Sequence, residues 1–149
     1  MNNASTIKKP IAIKIVTDIR DGHMKETKAV EAQGTYYKKD EVVYLTYTEH
    51  QEEVGDIKTL LKIKEDEVTI NRTGAVKMKQ SFRKKVKLEG TYMSPYGRMD
   101  MMTYAHNIEY KKLQKRGHLF FTYDLTLQGQ SVGNYAVTIT FKEEEHEHC

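Results

Sequence analysis

The stretch LFFTYDLTLQGQSVGNYAVTITFK, residues 119–142, decides the fold class of this chain. Apolar and polar residues alternate along both of its halves. The apolar positions are Leu119, Phe121, Tyr123, Leu125 and Leu127 in the first half, and Tyr135, Val137, Ile139 and Phe141 in the second. Because successive side chains of a strand point to opposite faces, this period of two predicts two half-buried β-strands. Gly129-Gln130-Ser131 between them has the length of a hairpin loop.

The same period recurs along the rest of the chain. Further β-rich runs are 11–20, 36–48, 57–64, 68–72, 75–78, 86–92 and 99–110, with turn residues between them. At Met101-Met102, and in 26–35 and 80–85, the sequence does not show which residues face inward. Residues 49–56 or 79–86 could hold a helical turn. Eight to ten short strands with at most short helical turns predict an all-β sandwich or barrel. Closure into a barrel would remove the exposed edges of an antiparallel sheet.

Length and cysteine content restrict the class of protein further. The 149 residues predict a single domain, 1–149, with a barrel core at about 11–142 and flexible tails at 1–9 and 143–149. The lone Cys149 cannot form an internal disulfide, which fits a reducing compartment. The chain shows neither the apolar stretch of a signal peptide nor a run of about 18 apolar residues. We therefore expect a cytoplasmic protein without membrane insertion.

Four segments resemble a known family. Gly74–Phe82 (GAVKMKQSF) is similar to the central motif of the YwiB-like family of uncharacterised bacterial β-barrel proteins. Tyr36–Lys38, Val43–Tyr47 and the turn Ser94–Gly97 are similar in the same order. The resemblance covers about 11–141 and implies a closed antiparallel β-barrel of lipocalin-like or calycin-like architecture. It implies no activity and no site residue, and the absence of Trp departs from the Gly-x-Trp signature of lipocalins.

Motifs of catalysis and metal binding are missing from the sequence. There is no Gly-x-Ser-x-Gly elbow, no P-loop, no dinucleotide fingerprint and no His-Glu-x-x-His. The end of the chain, His146–Cys149, has metal-ligating residue types, but a solvated tail explains them more simply. We therefore predict no catalytic residue, no metal site and no cofactor. An enzyme stays open only because a barrel can assemble a site from distant residues.

The aromatic and methionine content supports a ligand-binding hypothesis. Ten Tyr and seven Met residues could line a cavity that holds a small amphipathic or apolar molecule. The candidate ligand-binding residues are Arg72, Met102, Tyr104 and Tyr123, with Arg72 placed to neutralise a carboxylate or phosphate at the barrel mouth. The alternative is that these side chains pack across strands and fill the barrel. A barrel of about eight strands can do either.

The charge pattern supports a second hypothesis. The net charge is only +3, but residues 72–88 carry seven basic residues and no acid. The candidate partner-binding residues are Lys77, Lys79, Arg83, Lys84 and Lys85, which could dock RNA or an acidic protein. The alternative is a solvated strand face whose lysines prevent aggregation. The oligomeric state is not indicated by the sequence.

Overall fold

A computed structural model describes residues 7–53 and 55–144, which form ten β-strands. The strands are β1 (Lys9–Asp21), β2 (Met24–Lys39), β3 (Val42–Gln51), β4 (Gly55–Ile63), β5 (Glu67–Gly74), β6 (Lys77–Arg83), β7 (Lys87–Ser94), β8 (Gly97–Leu113), β9 (Arg116–Leu127) and β10 (Gln130–Glu143). The two segments considered for a helical turn, 49–56 and 79–86, are strand and turn wherever they are described. In residues 7–53 and 55–144, no helix has the length and hydropathy needed to cross a bilayer.

The ten strands form one closed sheet. Each strand pairs antiparallel with the next along the chain, and β1 closes the barrel by pairing with β10 from Ile11 opposite Glu143 to Arg20 opposite Asn134. The predicted closed antiparallel β-barrel is confirmed. Because the strands alternate in direction, the barrel has a lower end, where β1 begins and β10 ends, and an upper end with the β1–β2 and β9–β10 turns.

The inward-facing positions of the strands form one hydrophobic core. Its largest fully buried side chains include Phe82, Phe121, Ile11 and Leu119. The ring of Phe82 lies 4.9 Å from that of Phe121 and 4.5 Å from that of Tyr123. Aromatic rings in contact across the barrel axis mean that side chains fill this part of the interior.

A β-bulge in β8 changes which residues face the core. The pairing of β8 with β9 shifts between Ala105 and Asn107. Before the bulge, Met101 and Ala105 are buried, and after it Ile108 packs against the core. The phase of this strand therefore changes at the bulge and is regular at Met101-Met102, where the sequence pattern is ambiguous.

The barrel is slightly longer than the predicted core of 11–142. Lys9 begins β1 and Glu143 ends β10, although both residues fall in segments that we expected to be flexible tails. The remainder of those tails, 1–6 and 145–149, lies outside the described residues, and so does the His146–Cys149 segment.

Candidate functional site

The lower end of the barrel is sealed by buried side chains. Tyr36 and Phe141 stack with ring centroids 5.5 Å apart and are 9% and 3% exposed. Gly117 makes room for this stack, because a Cβ atom there would lie 2.1 Å from Cζ of Phe141. Ile11 and Ile63 complete a layer that water does not reach. The described residues therefore close the core to solvent at this end.

A buried carboxylate strengthens the seal. Glu143 is 7% exposed and lies 2.9 Å from Lys112 Nζ and 3.5 Å from Lys9 Nζ. The Lys112 ammonium also lies over the Tyr36 ring, 5.0 Å from its centroid. Burial works to raise the pKa of Glu143, but the hydrogen bond and charge of Lys112, together with Lys9, hold the pKa below the ordinary glutamate value. The charge network thus ties β1, β8 and β10 together at the lower end.

The upper end is less completely buried than the lower end. Here the inward-facing side chains remain partly exposed although they pack against the core, among them Tyr47, Met78, Tyr92 and Tyr135. Strand pairing aligns three of them, Tyr47, Met78 and Tyr92, in one row around the inner wall. The complete row is Tyr47, Thr59, Arg72, Met78, Tyr92 and Met99. An inward side chain that keeps contact with solvent must border a space that solvent enters. We call this lining the upper mouth: Tyr47, Glu49, Arg72, Met78, Tyr92 and Tyr135.

An ion pair lies within the upper mouth. Arg72 Nη2 donates a hydrogen bond to Glu49 Oε1 over 2.6 Å, and the two side chains are 27% and 17% exposed. Among the described residues, buried Arg72 Nε has no hydrogen-bond partner. Burial raises the pKa of the neighbouring Tyr47 hydroxyl. The charge of Arg72 is therefore already compensated by Glu49, and its unpaired Nε is itself shielded from solvent.

The floor of the upper mouth is aromatic. Tyr135 stacks on Tyr123 with ring centroids 5.1 Å apart, and Tyr123 lies on Phe82 below it. Burial raises the pKa of the Tyr123 hydroxyl, and the pKa of Tyr135 is raised by burial and by Glu26 and Asp21. Both hydroxyls stay protonated at neutral pH and can act as hydrogen-bond donors.

The four predicted ligand-binding residues separate into two pairs. Arg72 belongs to the upper mouth and Tyr123 to its floor. Met102 and Tyr104 lie instead on the outside of the barrel, where they line an open groove of about 1100 Å³ across β6–β10. Of the neighbours Met101 and Met102, the inward residue is Met101, which is 6% exposed and accepts a hydrogen bond from Gln80. The structure therefore does not bring the four residues into one site.

A polar cluster borders the outer groove. His106 Nε2 lies 3.0 Å from Asp124 Oδ2, and the Asn134 side chain donates to the other oxygen of that carboxylate. His106 lies at the β8 bulge, and Tyr104 meets its ring edge-on. No group of three metal-ligating side chains occurs in 7–53 and 55–144.

The predicted partner-binding residues also separate. Lys77 and Lys79 are exposed on the outer face of β6. Arg83, at the end of β6, is the cross-strand neighbour of Glu67. Lys84 and Lys85 lie in the turn before β7, where Lys85 N–H donates to the Ala105 carbonyl. Lys77, Lys79 and Arg83 therefore share the outer face of β6, whereas Lys84 and Lys85 lie outside the strand.

Sequence reasoning missed Glu49 as a residue of the barrel interior. In the sequence it lies close to Glu52, Glu53 and Asp56, and such a concentration of acids is typical of an exposed surface. The signal that identifies it is the alternation Val43, Leu45, Tyr47, Glu49, which continues the inward face of β3 by one more step.

Comparisons with known proteins agree with the fold. A family model described as "Domain of unknown function (DUF1934)" matches residues 13–139. The uncharacterized beta-barrel protein YwiB of Bacillus subtilis (strain 168) is 29% identical over 137 residues, which are 92% of this chain and 96% of that protein. The crystal structure of ywiB protein from Bacillus subtilis matches with a TM-score of 0.85 at 28% identity, over 95% of this chain and 97% of that one. The resemblance inferred from the four sequence segments is confirmed, and the chain belongs to the DUF1934 family of β-barrel proteins.

Proposed function

We propose that this protein binds a small amphipathic molecule in the upper mouth of the barrel and does not transform it. The observation that carries the proposal is the difference between the two ends. Inward side chains such as Phe141 and Ile11 are buried at the lower end, whereas Tyr92 and Met78 at the upper end are partly exposed. Large apolar side chains that face a concave, solvent-reached space are typical of ligand sites.

The filled interior limits the depth of this site. The contacts of Phe82 with Phe121 and Tyr123 block the middle of the barrel, so a ligand would bind above these rings. A ligand would place an apolar part on Tyr123 and Tyr135 and leave its polar part near the rim. Methionine and tyrosine side chains suit such a ligand because they adapt to its shape and offer hydroxyl groups beside apolar surface.

The ion pair in the upper mouth favours a ligand with a neutral head group. Glu49 already compensates the charge of Arg72 at 2.6 Å, so an anionic ligand would have to compete with a carboxylate in place. The second Glu49 oxygen can instead accept a hydrogen bond from a neutral donor, such as a hydroxyl or an amide. The cytoplasmic location expected from the lone cysteine is part of this proposal.

Native mass spectrometry of protein purified gently from its own host tests the proposal. We expect an additional mass on the order of a few hundred daltons, which fits a pocket of this class. Met78→Trp fills the upper mouth and should abolish the additional mass. Met93→Trp is the matched control, because Met93 is 48% exposed on the outside and the same substitution there leaves the mouth unchanged.

Two results would contradict the proposal. One is a bare protein mass that also stays bare after incubation with medium-chain fatty alcohols and amides. The other is an additional mass that Met78→Trp and Met93→Trp retain equally, since the ligand would then lie outside the barrel.

A further inference from the structure

The outer faces of β4, β5 and β6 form a continuous basic surface. Alternation of buried and exposed positions places nine side chains outward between the ends of these strands: Lys58, Leu60, Lys62, Thr69, Asn71, Thr73, Lys77, Lys79 and Ser81. Four of these nine are lysines, and the outward positions at the strand ends hold Asp56, Glu67 and Arg83. We call Lys58, Lys62, Lys77 and Lys79 the basic face. It extends the predicted basic stripe onto β4, which precedes the stripe in sequence and pairs with β5.

Nearby acids do not neutralise the basic face. Asp56, at the upper edge, is held 3.0 Å from His50, and Glu67, at the lower edge, lies opposite Arg83. Within 7–53 and 55–144, the four lysines of the basic face form no ion pair. Their charges are therefore available to an anionic partner.

A stacked aromatic pair adjoins the basic face. Tyr37 and Tyr44 lie on the outside of β2 and β3 with centroids 4.7 Å apart and an interplanar angle of 8°. The register continues this pair as one row across five strands: Tyr37, Tyr44, Lys62, Thr69 and Ser81. Directly opposite residues in an antiparallel pair have Cβ atoms about 5 Å apart, so Lys62 is the immediate neighbour of Tyr44.

We propose that the basic face and the Tyr37–Tyr44 pair bind single-stranded RNA. Lysines at alternate positions of one strand, such as Lys77 and Lys79, are separated by about 7 Å and can follow a phosphate backbone. An aromatic ring beside them offers a surface on which an unpaired base stacks, whereas an acidic protein makes no use of such a ring. Thr69 and Asn71 between the lysine columns can bond to 2′-hydroxyl groups, which favours RNA over DNA.

This surface is separate from the upper mouth. The basic face is on the outside of strands whose inner sides carry Arg72 and Met78, so the two sites can be disabled independently. Failure of either proposal therefore leaves the other intact.

Fluorescence anisotropy with a labelled oligouridine of about 12 nucleotides tests the inference. Four phosphate contacts predict a slope of about −3 for the logarithm of the binding constant against the logarithm of salt concentration. Affinity should therefore fall about 50-fold between about 50 and 200 mM salt.

Matched variants locate the binding surface. The double variant Lys62→Gln with Lys79→Gln should make the salt dependence less steep, with a slope of about −1.4. It should also weaken binding about 25-fold at 0.1 M salt, because two of four phosphate contacts are lost. Lys14→Gln with Lys142→Gln makes the same change of charge at exposed positions of β1 and β10 and should have little effect. Tyr44→Leu keeps an apolar side chain but removes the stacking surface, and should weaken binding about tenfold.

Several results would overturn the inference. They are the absence of binding at low salt, equal losses in the two lysine pairs, and an oligothymidine of equal length that binds as tightly as the oligouridine. Competition by polyglutamate combined with no effect of Tyr44→Leu would also overturn it, because the surface would then recognise negative charge alone.

Discussion

Substitution of Gly117 by Ala should loosen the sealed end of the barrel. The new Cβ atom would lie 2.1 Å from Cζ and 2.2 Å from Cε1 of Phe141. Since an ordinary contact is at least about 3.4 Å, the ring must move by about 1.3 Å. Phe141 is 3% exposed and stacked on Tyr36, so it has little room to move. Overpacking of this kind destabilises a protein by about 2 kcal/mol, which corresponds to a melting temperature about 6 °C lower.

Thermal unfolding followed by circular dichroism measures this effect. His118→Ala, at the exposed neighbouring position, is the control and should change the melting temperature by little. Phe141→Leu removes the ring atoms that clash with the new Cβ. The double variant Gly117→Ala with Phe141→Leu should therefore lose less unfolding free energy than the two single variants lose together, by about 1 kcal/mol or more. If Gly117→Ala is neutral, or if the two effects simply add, Phe141 does not pack against Gly117 as described.

Two further predictions concern the buried ion pairs. Glu143→Gln should destabilise the protein by about 2 kcal/mol at neutral pH, because Lys112 and Lys9 lose their counter-ion. The pKa of Glu143 in the folded state lies below its ordinary value of 4.5, so the stability advantage of the wild type is complete above pH 4.5 and disappears as pH falls through the folded-state pKa. Urea unfolding of both proteins at a series of pH values tests this prediction. A stability difference that is independent of pH would contradict it. Glu49→Gln should destabilise by about 1–2 kcal/mol because it leaves Arg72 partly buried and unpaired. Adding Arg72→Met should restore part of this loss in the same unfolding assay, and a further loss in the double variant would show that the pair does not act as a unit.

The fold could be predicted from the sequence because local signals agree. Clear alternation at 11–20, 119–127 and 135–141 corresponds to β1, β9 and β10. The turns at Asp40-Glu41 and Pro95-Tyr96 separate strands as expected. In an up-and-down barrel each strand pairs with the next along the chain, so correct strands and turns already specify most of the topology.

The candidate site could not be predicted to the same extent, because it depends on register and on the ends of the barrel. Met102 was expected inside and lies outside, since the ambiguous Met101-Met102 pair gives no local reason to prefer either phase. The pairing of Glu49 with Arg72 joins residues 23 positions apart on β3 and β5, which alternation alone does not reveal. Which end of the barrel is less completely buried follows from the packing of all ten strands together.

The central claim is that the upper mouth, and not the outer surface, receives an amphipathic ligand. The protein has no Trp, so each of two variants carries a single tryptophan whose emission can be followed. Tyr92→Trp places it in the upper mouth, and Tyr96→Trp places it at a turn position that is 98% exposed. Titration with a medium-chain fatty alcohol below its solubility limit should shift the emission of Tyr92→Trp to shorter wavelength in a saturable manner and leave Tyr96→Trp unchanged. An unchanged spectrum for Tyr92→Trp, or equal shifts in both variants, would contradict the account.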